Sequence, residues 1–140
     1  MSTLKIKNIL VKEVMLKIED FPVLFEKVLF KDTLETMNRF RLGIACIVNS
    51  QRQLIGIITD GDIRRKLLKV QKPFSALFVD DALIHSIRNP ITIQPITTLI
   101  EAIELMGKNQ IWDLPVVDDL GTLVGLLHLH PAIQVVLGVK

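Results

Sequence analysis

Tyrosine is absent from the 140 residues, tryptophan occurs once and cysteine once, and aromatics make up only 5 % of the chain. Each scarcity excludes something. One cysteine, Cys46, cannot form an internal disulfide framework, which places the chain in a reducing cytoplasm. A chain with so few stacking side chains lacks the interleaved aromatic platform of a single-strand binder. Neither charge sign dominates: 17 Lys and Arg face 15 Asp and Glu, for a net +2 and a pI near 8.8. Apart from Arg64-Arg65-Lys66 the cations are scattered, so no basic stripe marks a nucleic-acid partner. No apolar run approaches the roughly 18 residues that span a bilayer. The opening MSTLKIKNIL alternates polar and apolar residues and lacks a signal-peptide block, so no membrane partner is expected. What the chain does have is apolar residues, 49 % of the total, enough for one compact domain or two small halves sharing a core.

The chain repeats itself at an offset of 69 residues, the distance from Leu54 to Leu123. LIGIIT (54–59) falls on LVGLLH (123–128), IACIVN (44–49) on DLPVVD (113–118), and FKDTLETM (30–37) on LIEAIELM (99–106). Phe30, Leu34 and Met37 meet Leu99, Ile103 and Met106, both sets at i, i+4, i+7, the spacing of one apolar helix stripe. Each half therefore reads as an extended piece (22–25 or 90–93), a helix (28–40 or 97–109), a buried strand (44–48 or 114–117), a polar turn, a second strand (54–59 or 123–128) and a last helix (62–70 or 131–137). Residues 71–88 link the halves, with one or two short helical turns expected. Two strands and two helices make too small a core to stand alone. The expected fold is mixed α/β (α+β), with two β-α-β-β-α repeats related by pseudo-two-fold symmetry: 1–70, a linker at 71–88, and 89–140.

The repeat order and the element Gly56-Ile-Ile-Thr59-x-x-Asp62 resemble a tandem pair of cystathionine-β-synthase (CBS) domains, a Bateman module. EVMLKIEDFPVL (13–24), LIGIITDGDIRRKL (54–67), IRNPITI (87–93) and LVGLLHLH (123–130) together resemble the C-terminal region of arabinose-5-phosphate isomerases, enzymes of the 3-deoxy-D-manno-octulosonate (Kdo) pathway of lipopolysaccharide. The similarity covers nearly the whole chain. In that family catalysis belongs to a sugar-isomerase (SIS) domain, of which these residues show nothing. The resemblance implies a non-catalytic regulatory region, either a fragment or a free-standing relative, acting on an SIS domain in cis or trans and homodimeric through its CBS pairs.

The chemistry of LIGIITDGDI admits a ligand. Gly56 allows close approach of a backbone or a ligand. The Thr59 hydroxyl can donate to a phosphate oxygen, and the first turn of the following helix favours an anion. The Asp62 carboxylate suits a ribose diol. Asp60 or Asp62 as a plain helix cap is the alternative. The CBS resemblance gives Thr59 and Asp62 these ligand roles and seats the base against the backbone near Ile44 and the piece that holds Pro22 and Val23. The implied effector is an adenine or cytidine nucleotide or a nucleotide sugar, held in the cleft between the halves. A module that only dimerises, with a degenerate cleft, is the competing expectation.

The second half departs from the pattern. Thr59 maps to His128 and Asp62 to Pro131, which accepts no ribose hydroxyl, so the second cleft is expected to be altered. His-x-His at 128–130 is family-like, whereas Pro131 is not. His128 and His130, read as i, i+2 on a strand, share a face, but a metal site needs three or four ligands. No metal is expected, and His128 reads better as a phosphate donor. Trp112 and Asp113 stand where the first half has Gly43 and Ile44, so the ring is placed to reshape the second cleft. Cys46, inside an apolar strand, reads as packing. No nucleophile with a base and no paired carboxylates point to catalysis.

Overall fold

The computed structural model describes residues 8–138. They form two compact units. The first runs from Glu19 to Pro90. The second combines the residues up to Ile18 with those from Ile91 onward.

In the first unit, strand β1 (Val23–Phe25) is followed by helix α1 (Phe30–Phe40), strand β2 (Ile44–Val48), strand β3 (Leu54–Thr59) and helix α2 (Asp60–Lys69). The sheet order is β1-β2-β3. β1 runs parallel to β2, which requires a crossover, and α1 supplies it. β2 and β3 are antiparallel, with Ile44 opposite Thr59. All five residues of β2 are buried, as its unbroken apolar run demands. Phe30 and Met37 lie in the core with Ala45, Ile47 and Ile58, and Leu34 packs at its edge, so the helix stripe read from spacing is the buried one. Full burial of each large side chain contributes about 1.5–3 kcal/mol.

The 71–88 stretch is part of that core. Two 3₁₀ turns, Phe74–Leu77 and Ala82–His85, bury Leu77 and Ala82. Phe74 meets the Phe30 ring edge-on at 5.9 Å. Ile87 exchanges two backbone hydrogen bonds with Ile57 on the free edge of β3.

The second unit holds helix α3 (Leu99–Asn109), strands β4 (Asp113–Val117) and β5 (Leu123–His128), and helix α4 (Leu129–Val136). β4 and β5 are antiparallel. The counterpart of β1 shrinks to one parallel bridge from Ile93 to Val116. Leu99 and Met106 face the core with Leu114, Val116 and Leu127, and Val11 of the lead-in joins them. Leu16 pairs with Leu126 on the free edge of β5, as Ile87 does with Ile57 in the first unit. The sequence repeats and the spatial units are thus cut differently. The segment ahead of the first repeat completes the second unit's sheet, and the segment ahead of the second repeat completes the first unit's.

The 69-residue register extends to turn chemistry. Asn49 Oδ1 accepts from the amides of Gln51 and Gln53 at 3.0 and 2.9 Å; Asp118 Oδ1 accepts from those of Leu120 and Thr122 at 2.9 and 3.0 Å. Such side-chain-to-backbone bonds close a tight turn. Helices α1 and α3 both end on a left-handed residue, Arg41 (φ 57°) and Gln110 (φ 54°). The amide beyond each reaches back to Met37 O at 3.3 Å and Met106 O at 3.0 Å.

Candidate functional site

The β3–α2 junction gathers the polar groups of the first unit. Thr59 ends the strand in extended conformation and caps the helix, accepting the Asp62 amide on Oγ1 at 3.2 Å. Asp62 answers, its Oδ2 accepting the Thr59 amide at 3.1 Å and the Thr59 hydroxyl at 2.8 Å. This reciprocal pair satisfies two donors that the end of a helix or strand would leave open. The other carboxylate oxygen, Oδ1, accepts Nη2 of Arg65 at 2.8 Å. Asp62 is largely covered, with 15 % of its side chain exposed, while Arg65 is 57 % exposed.

The remaining amides of the first turn divide. The Asp60 amide donates to Gly43 O at 3.0 Å. The Gly61 amide has no partner among the described residues. The Arg65 guanidinium lies over Gly61: a Cβ built there would stand 3.1 Å from Nη2 and 3.2 Å from Nη1. Gly43 is equally confined, since a Cβ there would meet Asp60 Oδ2 at 2.5 Å. Beside these two residues a cleft of about 290 Å³ opens between α1 and α2, lined also by Met37, Asn38, Arg41 and Ile63.

The other residues singled out in the sequence fall as follows. Ile44, fully buried, is the cross-strand partner of Thr59. Val23 pairs with Cys46, and Pro22 O accepts the Cys46 amide at 3.0 Å, so both flank β2 two residues beyond Ile44. The open face of Gly56 is taken by protein: a Cβ there would lie 2.5 Å from Ser86 Oγ and 3.1 Å from Leu83 Cδ1. His128 belongs to the second unit.

There the same position is built from different chemistry. His128 precedes α4 as Thr59 precedes α2, but its side chain makes no cap. The imidazole turns across the ladder instead, with Nδ1 2.7 Å from Asp113 Oδ1. Asp113 and His128 are register partners, as Ile44 and Thr59 are. The sequence reading did not join them, although the 69-residue offset carries that pairing over. Helix α4 starts at Leu129, two residues ahead of the expected start. Pro131 is therefore its third residue, where the helix asks for no intrahelical amide donor and proline is tolerated. His130 accordingly sits in a helical turn and not on the strand with His128, which corrects the shared-face expectation. Trp112 is 70 % exposed. Among the described residues no group of three His, Cys, Asp or Glu side chains is arranged to hold a metal. Nor is any described helix long and apolar enough to cross a membrane.

Two small units of related architecture thus stand in one chain, each with a strand-to-helix junction carrying polar groups. The CBS domain model matches residues 11–69 and 79–130. The chain belongs to the CBS domain family and carries two of its domains. Relatives at 32 % identity include the Rickettsia prowazekii protein RP505 (86 % of this chain, 35 % of the relative) and the arabinose 5-phosphate isomerase GutQ of Salmonella typhi (74 % and 30 %). The chain thus spans about a third of the length of these relatives. Among solved structures it resembles Arabidopsis thaliana CBSX2 in complex with AMP, with a TM-score of 0.78 at 21 % identity over 93 % of this chain and 97 % of that one.

Proposed function

We propose that this CBS pair is a regulatory, non-catalytic module whose first unit binds a nucleoside phosphate or nucleotide sugar at the β3–α2 junction. The observation that carries the reading is the Thr59–Asp62 pair at the head of a ten-residue helix, beside a Gly61 amide that has no partner among the described residues. Asp62 is the acceptor for the ribose diol and Thr59 the donor for phosphate. The base is assigned to the backbone near Ile44 and to the segment of Pro22 and Val23, and Gly56 keeps β3 close to its neighbours. Binding begins with rotation of the Thr59 hydroxyl. The hydroxyl turns its hydrogen bond from Asp62 Oδ2 to a phosphate oxygen, while its lone pair goes on accepting the Asp62 amide and the helix stays capped. An adenine nucleotide is the first candidate, since CBSX2 was solved with AMP; cytidine nucleotides and nucleotide sugars are the next. His128 is assigned to a lesser, altered site in the second unit.

The similarity to GutQ supports a role beside an arabinose-5-phosphate isomerase domain, modulating it or holding its subunits in a homodimer. Effector control requires that the ligand bind two states of that protein with different affinity.

A second reading has its own support: Pro131 and the Asp113–His128 pair remove the capping chemistry from the second unit, as a module kept only for dimerisation would allow. Thermal-shift titration with nucleotides and nucleotide sugars at millimolar concentration separates the two. Stabilisation that disappears in Asp62→Ala is expected. No response to any of them, with assembly intact in both proteins, favours the dimerisation module.

A further inference from the structure

Asp62 is already occupied, and the identity of its occupants points to a selectivity device. A carboxylate offers about four lone-pair positions. Oδ2 holds two donors, the Thr59 amide and hydroxyl, and Oδ1 holds Arg65 Nη2. One position remains, on Oδ1. A ribose diol brings two donors and spans both oxygens, so at least one present donor has to leave. The Thr59 amide is backbone and fixed. The Thr59 hydroxyl can rotate. Arg65 is the most readily released, being 57 % exposed and held by a single bond to Asp62. An ion pair this exposed contributes little to stability.

Where Arg65 would go decides the matter. Its guanidinium already lies over Gly61, within 3.1–3.2 Å of where a Cβ would stand, and the Gly61 amide has no partner among the described residues. An anion seated on that amide meets Arg65 after a change of rotamer alone. Both movable donors that guard Asp62, the Thr59 hydroxyl and the Arg65 guanidinium, are thus positioned to be received by one phosphate group. When they leave, Asp62 is open to the diol.

We propose that Arg65 makes this site selective for phosphorylated nucleosides, by exchanging the Asp62 carboxylate for the ligand's phosphate. The inference rests on the reading of Asp62 as the ribose acceptor. A nucleoside without phosphate has to displace the Thr59 hydroxyl or Arg65 from Asp62 with nothing to receive the donor it displaces. A nucleotide replaces the Asp62–Arg65 bond with a charge-assisted one to phosphate. Arg64, the preceding residue, has no ion pair among the described residues and serves as the matched control.

The test is calorimetric titration of the chain with AMP and with adenosine, in wild type, Arg65→Ala, Arg64→Ala and Asp62→Ala. Wild type is expected to prefer AMP by about tenfold or more, the worth of one charged hydrogen bond. Arg65→Ala should weaken AMP by about tenfold and leave adenosine equal or tighter, so that the preference collapses. Arg64→Ala should keep the wild-type ratio. Both arginines are exposed, and far-ultraviolet circular dichroism confirms that each variant folds. An unchanged AMP-to-adenosine ratio in Arg65→Ala, or equal weakening of both ligands, overturns the role of Arg65. If Asp62→Ala still loses both ligands in that case, the binding reading survives. If wild type binds neither ligand, the inference falls; the binding reading falls with it only when cytidine nucleotides and nucleotide sugars also give no thermal shift.

Discussion

His128 and Asp113 are joined at 2.7 Å across the β4–β5 ladder, where the equivalent partners in β2 and β3 are Thr59 and Ile44. The two side chains are 25 % and 11 % exposed, so the bond lies in a poorly solvated setting. Truncating His128 to Ala removes a donor from a largely covered carboxylate. A double-mutant cycle with Asp113→Ala and His128→Ala is expected to give a coupling of about 0.5–3 kcal/mol in urea denaturation. Additive single effects would show that the pair contributes nothing as a pair.

The reciprocal cap at Thr59 and Asp62 has a separate signature in stability. Thr59→Ala and Asp62→Ala should each cost about 1 kcal/mol, and the double variant less than the sum, because each substitution already opens the shared box. Thr59→Ser should restore most of the loss. Denaturation midpoints measured without ligand check this independently of any binding.

Two glycines of the second unit should respond with opposite sign. A Cβ on Gly125 would stand 2.5 Å from Met15 Sδ and 2.9 Å from the backbone oxygen of Leu16, and the latter cannot step aside without disturbing the Leu16–Leu126 bridge. Gly125→Ala is expected to destabilise by about 1–3 kcal/mol. Gly107, exposed within α3 with nothing near its Cβ position, should gain up to about 1 kcal/mol as alanine. Paired denaturation curves decide it.

Gln110 closes α3 at φ 54°, a conformation that costs a residue with a Cβ. Gln110→Gly should therefore raise stability by a few tenths to about 1 kcal/mol, less the extra freedom it gives the unfolded chain. A lower melting temperature in the variant would mean that the Gln110 side chain contributes more than its backbone strain removes.

Cys46 is fully buried in the centre of the first sheet. A water-soluble thiol reagent should leave it untouched in the folded protein and modify it fully in urea. The rate at intermediate urea then reports opening of the first unit.

Much of this architecture was legible in the residues. Phe30 with Met37, and Leu99 with Met106, disclose the buried faces of two helices by spacing alone, because burial and helical period are one constraint. Helix starts were less legible. The turns at 59–62 and 128–131 are set by which amides find partners, and Asp60 and Leu129 enter their helices through bonds to Gly43 O and Trp112 O, which no pattern of side chains displays. Thr59 and Asp62 were visible as a pair suited to a ligand, but not as groups that already satisfy each other. Gly56 was visible as a close approach, and only packing shows that Ser86 makes it.

The amino-acid order alone determined the duplication, the order of elements and the apolar stripes, because these follow from local period and from side-chain type. The folded chain alone decided which segment completes which sheet. Leu16 pairs with the edge of β5 and Ile87 with the edge of β3, since an open strand edge takes whatever extended segment the chain brings to it. It also decided that Asp62 holds Arg65 and that His128 holds Asp113, because hydrogen-bond partners are chosen by distance and direction in space, and those exist only once the backbone has closed.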